Sequence, residues 1–232
     1  MGGFPSVLLF DLDDTILDDS GGATDSWRRA CEDAVPGWSQ LDRLISGIEA
    51  TRRWYWSDAE RHRVGRMDLR AASTHIASLA LRDLGIDDPS LAHRIGHRYR
   101  DLRDAHVRPL VGAIDTLRHL GARGVTLGLI TNGPSMMQRA KIERFGLAQF
   151  FGYVGIEEEV GVGKPFPEAY EAALRTLRCE ASGTWMVGDN LEWDVLAPQR
   201  LGIHGIWVNP TGATPESGSP NRTVASIFEL VA

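Results

Sequence analysis

The sequence predicts an α/β protein: a doubly wound parallel sheet with an all-helical segment inserted after the first strand. Three observations predict it. Short apolar runs recur along the chain, they are continuous rather than alternating, and helical periodicity fills most of the intervals between them. A continuous apolar run fits a strand covered on both faces, as strands are in a parallel sheet flanked by helices.

The first run is Val7 to Phe10. From about Ala23 to Val107 no strand pattern appears, only helical periodicity, with Leu69, Ala72, Ile76, Leu79 and Ala80 forming one apolar stripe. Pro109 marks the return to the sheet. Ile114, Leu117 and Leu120 then share a helical face, and Val125 to Ile130 is the second strand. Tyr153 to Ile156 is a weaker third. Ala169, Ala173 and Leu177 line a helix that Pro167 can open, because the missing N–H costs nothing in a first turn. Trp185 to Val187 and Ile203 to Val208 are the last strands, and the Gly-, Pro-, Ser- and Thr-rich stretch from Thr211 to Asn221 reads as a loop. The expected division is an α/β core from residues 1–20 and 109–232, with a helical unit over 21–108.

With 43% hydrophobic and 24% charged residues in 232, the chain is composed like a globular protein, not a disordered one. The net charge of -6 does not suit a nucleic-acid partner but suits a protein that gathers a divalent cation. The two cysteines, Cys31 and Cys179, stand too far apart to read as a metal pair and are expected as free thiols in a reducing compartment. No apolar stretch is long enough to span a bilayer, and the first residues lack the charged start of a signal peptide. A cytoplasmic enzyme with no membrane partner is expected.

Four short motifs follow predicted strands. Asp11-Leu12-Asp13 follows the first, and two carboxylates two residues apart at an irregular strand end can turn toward one point. One can serve as a nucleophile and the other as acid and base. Thr131-Asn132-Gly133 ends the second strand, where a hydroxyl, backbone N–H groups and a glycine that permits close approach can hold phosphate oxygens. Lys164 stands beside Pro165 at a helix entrance, the positive end of the helix, which suits an anion. Asp189 and Asp194 follow the fourth strand, and magnesium takes carboxylate oxygens of this kind. Each motif also has a bland reading. Acids cap turns, Thr, Asn and Gly form them, and a lone lysine is usually solvated. Those readings weaken together, because all four motifs lie at carboxyl ends of predicted strands in one order.

In that order the motifs resemble the haloacid dehalogenase superfamily, and the resemblance covers nearly the whole chain. It implies that Asp11 attacks phosphorus to form an aspartyl-phosphate, while Asp13 protonates the leaving oxygen and then activates water. It implies Mg2+ held by Asp11, the Asp13 backbone carbonyl and Asp189, with Asp194 orienting the metal's water shell or Lys164. Thr131, the Asn132 amide and the Leu12 amide would bind phosphate oxygens. The helical insertion resembles the family's cap. Glu158 to Pro165 is similar to members acting on nucleoside monophosphates and acylneuraminate phosphate. Dehalogenases of the family generally lack the second acid, so Asp13 favours a phosphatase acting on a small phosphorylated metabolite; a phosphomutase, a dehalogenase and a silent binding module are the alternatives. Within the cap, Arg52-Arg53-Trp54-Tyr55-Trp56, with Arg63 and Arg66 nearby, concentrates cationic and aromatic groups. Either these pack and face solvent, or some of them, with Arg53 and Trp56 the candidates, recognise a base or an acidic sugar.

Overall fold

The computed structural model describes residues 5–215 and 217–231. The chain forms two compact units. One is Asp19–Val107, and the other is made by the chain up to Asp18 and from Arg108 onward.

The second of these is built on a six-stranded parallel sheet. Its strands are β1 (Val7–Phe10), β4 (Thr126–Thr131), β5 (Tyr153–Ile156), β6 (Thr184–Gly188), β7 (His204–Val208) and β8 (Arg222–Val224). Their spatial order is β5-β4-β1-β6-β7-β8, with β1 in the interior. All four residues of β1 are buried, as a continuous apolar run requires. From β1 the chain fills one side of the sheet, then crosses back to fill the other, so the strand order reverses beside β1. In doubly wound sheets such a reversal opens a crevice beyond the carboxyl ends of the strands. The register sets what stands there: Phe10 lies opposite Leu129 on β4 and Val187 on β6, so Asp11 leaves its strand level with Ile130 and Gly188, one residue before Thr131 and Asp189.

Two features are not visible in the apolar pattern. β2 (Leu17–Asp18) pairs antiparallel with β3 (Arg108–Pro109), so the chain leaves and re-enters this unit along a two-residue ribbon. β8 is the other, an edge strand in which only Val224 is buried. Among the described residues the unit also carries α6 (Ala113–Ala122), α7 (Ser135–Arg144), α8 (Glu157–Val160), α9 (Pro167–Leu177), opened by its proline as expected, a wide π-helical turn at Leu191–Leu196, α10 (Ala197–Gln199) and short 3-10 turns at Leu147–Phe150, Ala181–Gly183 and Ile227–Leu230.

The other unit is helical throughout: α1 (Ala23–Ala34), α2 (Leu41–Ser57), α3 (Ala59–Gly65), α4 (Leu69–Arg82) and α5 (Pro89–His106). Asp58, Asp68 and Asp88 cap α3, α4 and α5 by accepting from Arg61, Ala71 and Leu91 N–H groups. The core is made by Trp27, Leu44, Ile48, Ile76 and Ile95, with Trp27 stacked on Tyr99 at 3.8 Å. The buried face of α4 is Ala72, Ser73, Ile76, Ala77, Ala80 and Leu81, while Leu69 and Leu79 sit at its margin. That rotation lets α5 cross very close: a Cβ on Gly96 would stand 2.5 Å from the Thr74 nitrogen.

Candidate active site

Three carboxylates meet where the strand order reverses. Asp11, Asp189 and Asp194 each bring an oxygen within 4.8 Å of the others'. Asp11 continues β1 and donates its N–H to Val187 O at 2.9 Å, which keeps the chain in sheet register up to the site. Asp189 directly follows β6, and Trp207 Nε1 on β7 donates to its carbonyl at 2.8 Å. Asp194 is reached through the π-helical turn. Asn190 caps that turn by accepting from Trp193 N–H, and Asp194 Oδ2 accepts from Asn190 N–H at 3.0 Å. Asn190 therefore does the capping, and Asp194 is fully buried. Gly188 is required here by close approach, since a Cβ would stand 2.3 Å from the Asp194 carboxylate carbon.

Lys164 neutralises part of this cluster. Its ammonium donates to Asp11 Oδ1 and to Asp194 Oδ1, both at 2.6 Å, and only 2% of its side chain is exposed. The sequence places Lys164 at a helix entrance suited to an anion, and the family resemblance implies Asp194 as a group that orients it; the ammonium is buried between Asp11 and Asp194. Burial works against its charge, but Asp11 and Asp194 together outweigh burial and hold it firmly protonated. Its main chain is bracketed by Asn132, whose Oδ1 accepts from Lys164 N–H at 2.8 Å and whose Nδ2 donates to Lys164 O at 2.7 Å. A side chain on Gly163 would break that bracket, its Cβ lying 2.7 Å from Asn132 Oδ1.

One ammonium against three carboxylates leaves the cluster short of positive charge, and the titration of the acids reflects it. Burial raises Asp11 to about 6 against the pull of Lys164, and the Asp194 charge adds to the rise. Burial and the charges of Asp11 and Asp194 raise Asp189 to about 8. Two formal negative charges in excess and an all-oxygen donor set suit a hard dication such as Mg2+.

Asp13 lies outside that triad of carboxylates. Gln138 Nε2 donates to its Oδ2 at 3.0 Å and Lys141 Nζ to its Oδ1 at 2.8 Å, both from α7. Gln138 also donates to Thr131 Oγ1 at 2.6 Å and to Asn132 O at 2.9 Å. The Leu12 side chain is core, and its backbone N–H, beside the Asp11 carboxylate, favours that group's charged form. The Gly133 N–H, a candidate phosphate donor, is given to Glu157 Oε2 at 2.9 Å. Glu158 accepts from Ser135 N–H, and Glu159 accepts from Ser135 Oγ and Arg139, so α8 caps the exposed start of α7. The Arg139 bonds and the Ser135 hydroxyl hold Glu159 at about 2.

The remaining candidates belong to the helical unit. Arg53 is exposed on α2. Trp56 is half-buried against the helical core, 4.9 Å from the Tyr55 ring and 5.1 Å from His62, both edge-on. Arg63 pairs with Glu60. Sequence reasoning passed over Gln138, Lys141, Glu157, Trp207 and the bracketing role of the Asn132 side chain. For Gln138 and Lys141 a signal existed: they are polar, one helical turn apart and just beyond the Thr131 strand.

Comparison with known proteins bears on this geometry. The haloacid dehalogenase-like hydrolase model matches residues 5–202. A glyceraldehyde 3-phosphate phosphatase of Methanopyrus kandleri is 30% identical over 202 residues, covering 85% of this chain and 81% of its own. The pyrimidine 5'-nucleotidase YjjG of Escherichia coli is 37% identical over 124 residues, 53% of this chain and 55% of its own. Among solved structures, the magnesium-bound HAD-hydrolase YfnB of Bacillus subtilis superposes with a TM-score of 0.77 at 25% identity, covering 98% of this chain and 97% of that one. A 2-haloacid dehalogenase from Pseudomonas syringae superposes at 0.62 with 26% identity, covering 98% and 96%.

Proposed function

The chain belongs to the haloacid dehalogenase-like hydrolases, and from that premise we propose that it is a Mg2+-dependent phosphomonoesterase with Asp11 as its nucleophile. The observation that carries the proposal is the cluster of Asp11, Asp189 and Asp194 around the buried Lys164 ammonium, with Asp13 held apart from it. An Asp11 oxygen attacks phosphorus, the bond from phosphorus to the leaving oxygen breaks, and Asp13 gives that oxygen its proton. Water then attacks the aspartyl-phosphate, Asp13 takes the water proton, and Asp11 leaves as carboxylate with inorganic phosphate released. Thr131, with the Asn132 and Leu12 amides, is assigned to the phosphate oxygens. Lys164 offsets charge on Asp11 throughout, because phosphoryl transfer depends mainly on positioning and on charge stabilisation.

Asp11, Asp189 and the Asp13 backbone carbonyl are the residues assigned to Mg2+, with Asp194 acting through the metal's water shell and through Lys164. Bound Mg2+ would supply charge neutralisation at the phosphate oxygens. Asp13 supports a phosphatase over a dehalogenase, since only a poor alkoxide leaving group needs an acid at that place.

The substrate assigned is a small phosphorylated metabolite, as in the named relatives, with nucleoside monophosphates or acidic sugar phosphates favoured. Arg53 is assigned to recognition of the organic group, with Trp56 supporting it. Phosphate release from a panel of phosphomonoesters, with Mg2+ and with EDTA, tests the reading. Turnover is expected only with the metal and is expected to vanish in Asp11→Asn. Full turnover in chelated protein, or near-normal turnover in Asp11→Asn, would overturn it.

A further inference from the structure

Asp13 is held by two side chains that no motif of the sequence singles out. Lys141 takes Oδ1 at 2.8 Å and Gln138 takes Oδ2 at 3.0 Å, so each carboxyl oxygen has its own donor. A carboxyl group gripped at both oxygens cannot turn about its last bond to exchange them, and its plane is fixed. The donors are the buried part of the arrangement. Gln138 is 3% exposed and the Lys141 side chain 12%, while the Asp13 side chain keeps 28% open, so it is gripped from behind and accessible in front. Both donors come from α7, three residues apart and therefore on one face. The helix is itself anchored at its start by Glu158 and Glu159, and the turn before it by Glu157. Gln138 has two N–H bonds shared among Asp13, Thr131 and the Asn132 carbonyl, so one side chain ties the acid to the phosphate-binding turn.

We propose that Gln138 and Lys141 are positioning residues for Asp13, fixing its carboxyl group in line with the leaving oxygen and then with the attacking water. The proposal rests on the acid–base role assigned to Asp13 above. Proton transfer needs its two heavy atoms within hydrogen-bond reach, and a displacement of about 1 Å can cost on the order of 10²-fold. The loss should then follow the leaving group. An alkoxide needs the proton; a nitrophenolate hardly does.

The test compares an alkyl phosphate with p-nitrophenyl phosphate in wild type, Lys141→Met, Gln138→Leu, Lys141→Arg and Asp13→Ala, with the thermal midpoint of each recorded. Lys141→Met and Gln138→Leu are expected to lower kcat on the alkyl ester by roughly 10- to 100-fold with KM little changed, and to lower it by only a few-fold on the aryl ester. Lys141→Arg should recover most of the alkyl rate. Equal losses on both esters, or unchanged kcat, would overturn the positioning role. So would a loss that Lys141→Arg fails to recover in a folded protein. Asp13→Ala separates the two levels. If it shows the leaving-group dependence and the α7 variants do not, the positioning role alone fails. If it too falls equally on both esters, the acid role fails and this proposal falls with it.

Discussion

Lys164 Nζ lies 2.6 Å from Asp194 Oδ1, and neither side chain touches solvent to any useful extent. The pair does what no exposed ion pair could. Asp194 is shut off from solvent, and among the described residues Lys164 meets its opposite charges in Asp194 and Asp11. Removing the cation should therefore damage more than catalysis. Lys164→Met leaves two buried carboxylates facing one another and should cost about 3–5 kcal/mol of stability together with nearly all turnover. Adding Asp194→Asn should restore part of the stability and none of the activity, since the lost interaction is shared. Urea unfolding of the two singles and the double measures the coupling. Strictly additive losses would contradict a shared buried pair.

The acids give a pH signature that a metal should erase. Asp11 titrates near 6 and Asp189 near 8, raised first by burial and then by neighbouring carboxylates. Free carboxyls in an unfolded chain release their protons near 3.9. The folded, metal-free protein therefore binds protons that the unfolded chain has lost. Stability from these groups is complete below the unfolded value and is lost as pH rises through about 6 and then about 8. Thermal midpoints in EDTA should fall across that window, and excess Mg2+ should flatten the fall by taking the place of the protons. Parallel curves with and without Mg2+ would show that the ion is not held by these carboxylates.

Much of the sheet and the site's acidic framework could be read from sequence because each group directly follows a buried strand: Asp11 after Phe10, Thr131 at the end of its run, Asp189 after Gly188. Burial on both faces writes itself into composition, and a strand end is where that writing stops. Side chains that serve each other over long separations leave no such trace. Lys141 meets Asp13 across 128 positions, and Asn132 meets Lys164 across 32. Nor does a ribbon of two residues per strand, or an edge strand with one buried residue, impose a periodicity. The Asp194 burial has another source: it sits in a π-helical turn, whose wider spacing the ordinary helical period does not describe.

Gly188 offers a steric test of that turn. A Cβ there would stand 2.3 Å from Asp194 Cγ and Oδ2, and Asp194 has no room to yield, since Asn190 N–H and Lys164 grip its two oxygens. Gly188→Ala should destabilise by about 1–3 kcal/mol, the usual cost of overpacking, and should displace Asp194 from Lys164. Turnover should fall steeply while KM for a small phosphomonoester changes less. A variant with wild-type kcat and thermal midpoint would mean that the turn relaxes freely.

Arg53 and Trp56 separate recognition from packing in the helical unit. They stand three residues apart on α2, but their surroundings differ. Arg53 is exposed, whereas Trp56 packs against the unit's core, with its ring edge-on to Tyr55 and His62. Truncating a buried tryptophan costs about 3–5 kcal/mol, and a half-buried one should fall toward or below the lower end. Trp56→Ala should therefore lower the thermal midpoint and depress kcat/KM by a similar factor for every substrate. Arg53→Ala should leave stability within about 0.5 kcal/mol, as exposed substitutions do. Its effect should appear in selectivity instead: kcat/KM for nucleoside monophosphates or acidic sugar phosphates should drop, while that for p-nitrophenyl phosphate holds. The ratio of the two constants, measured in both variants, is the deciding quantity. If Arg53→Ala lowers both substrates equally, Arg53 has no part in choosing the organic group. If Trp56→Ala shifts the ratio without loss of stability, the tryptophan and not the arginine is the recognition residue.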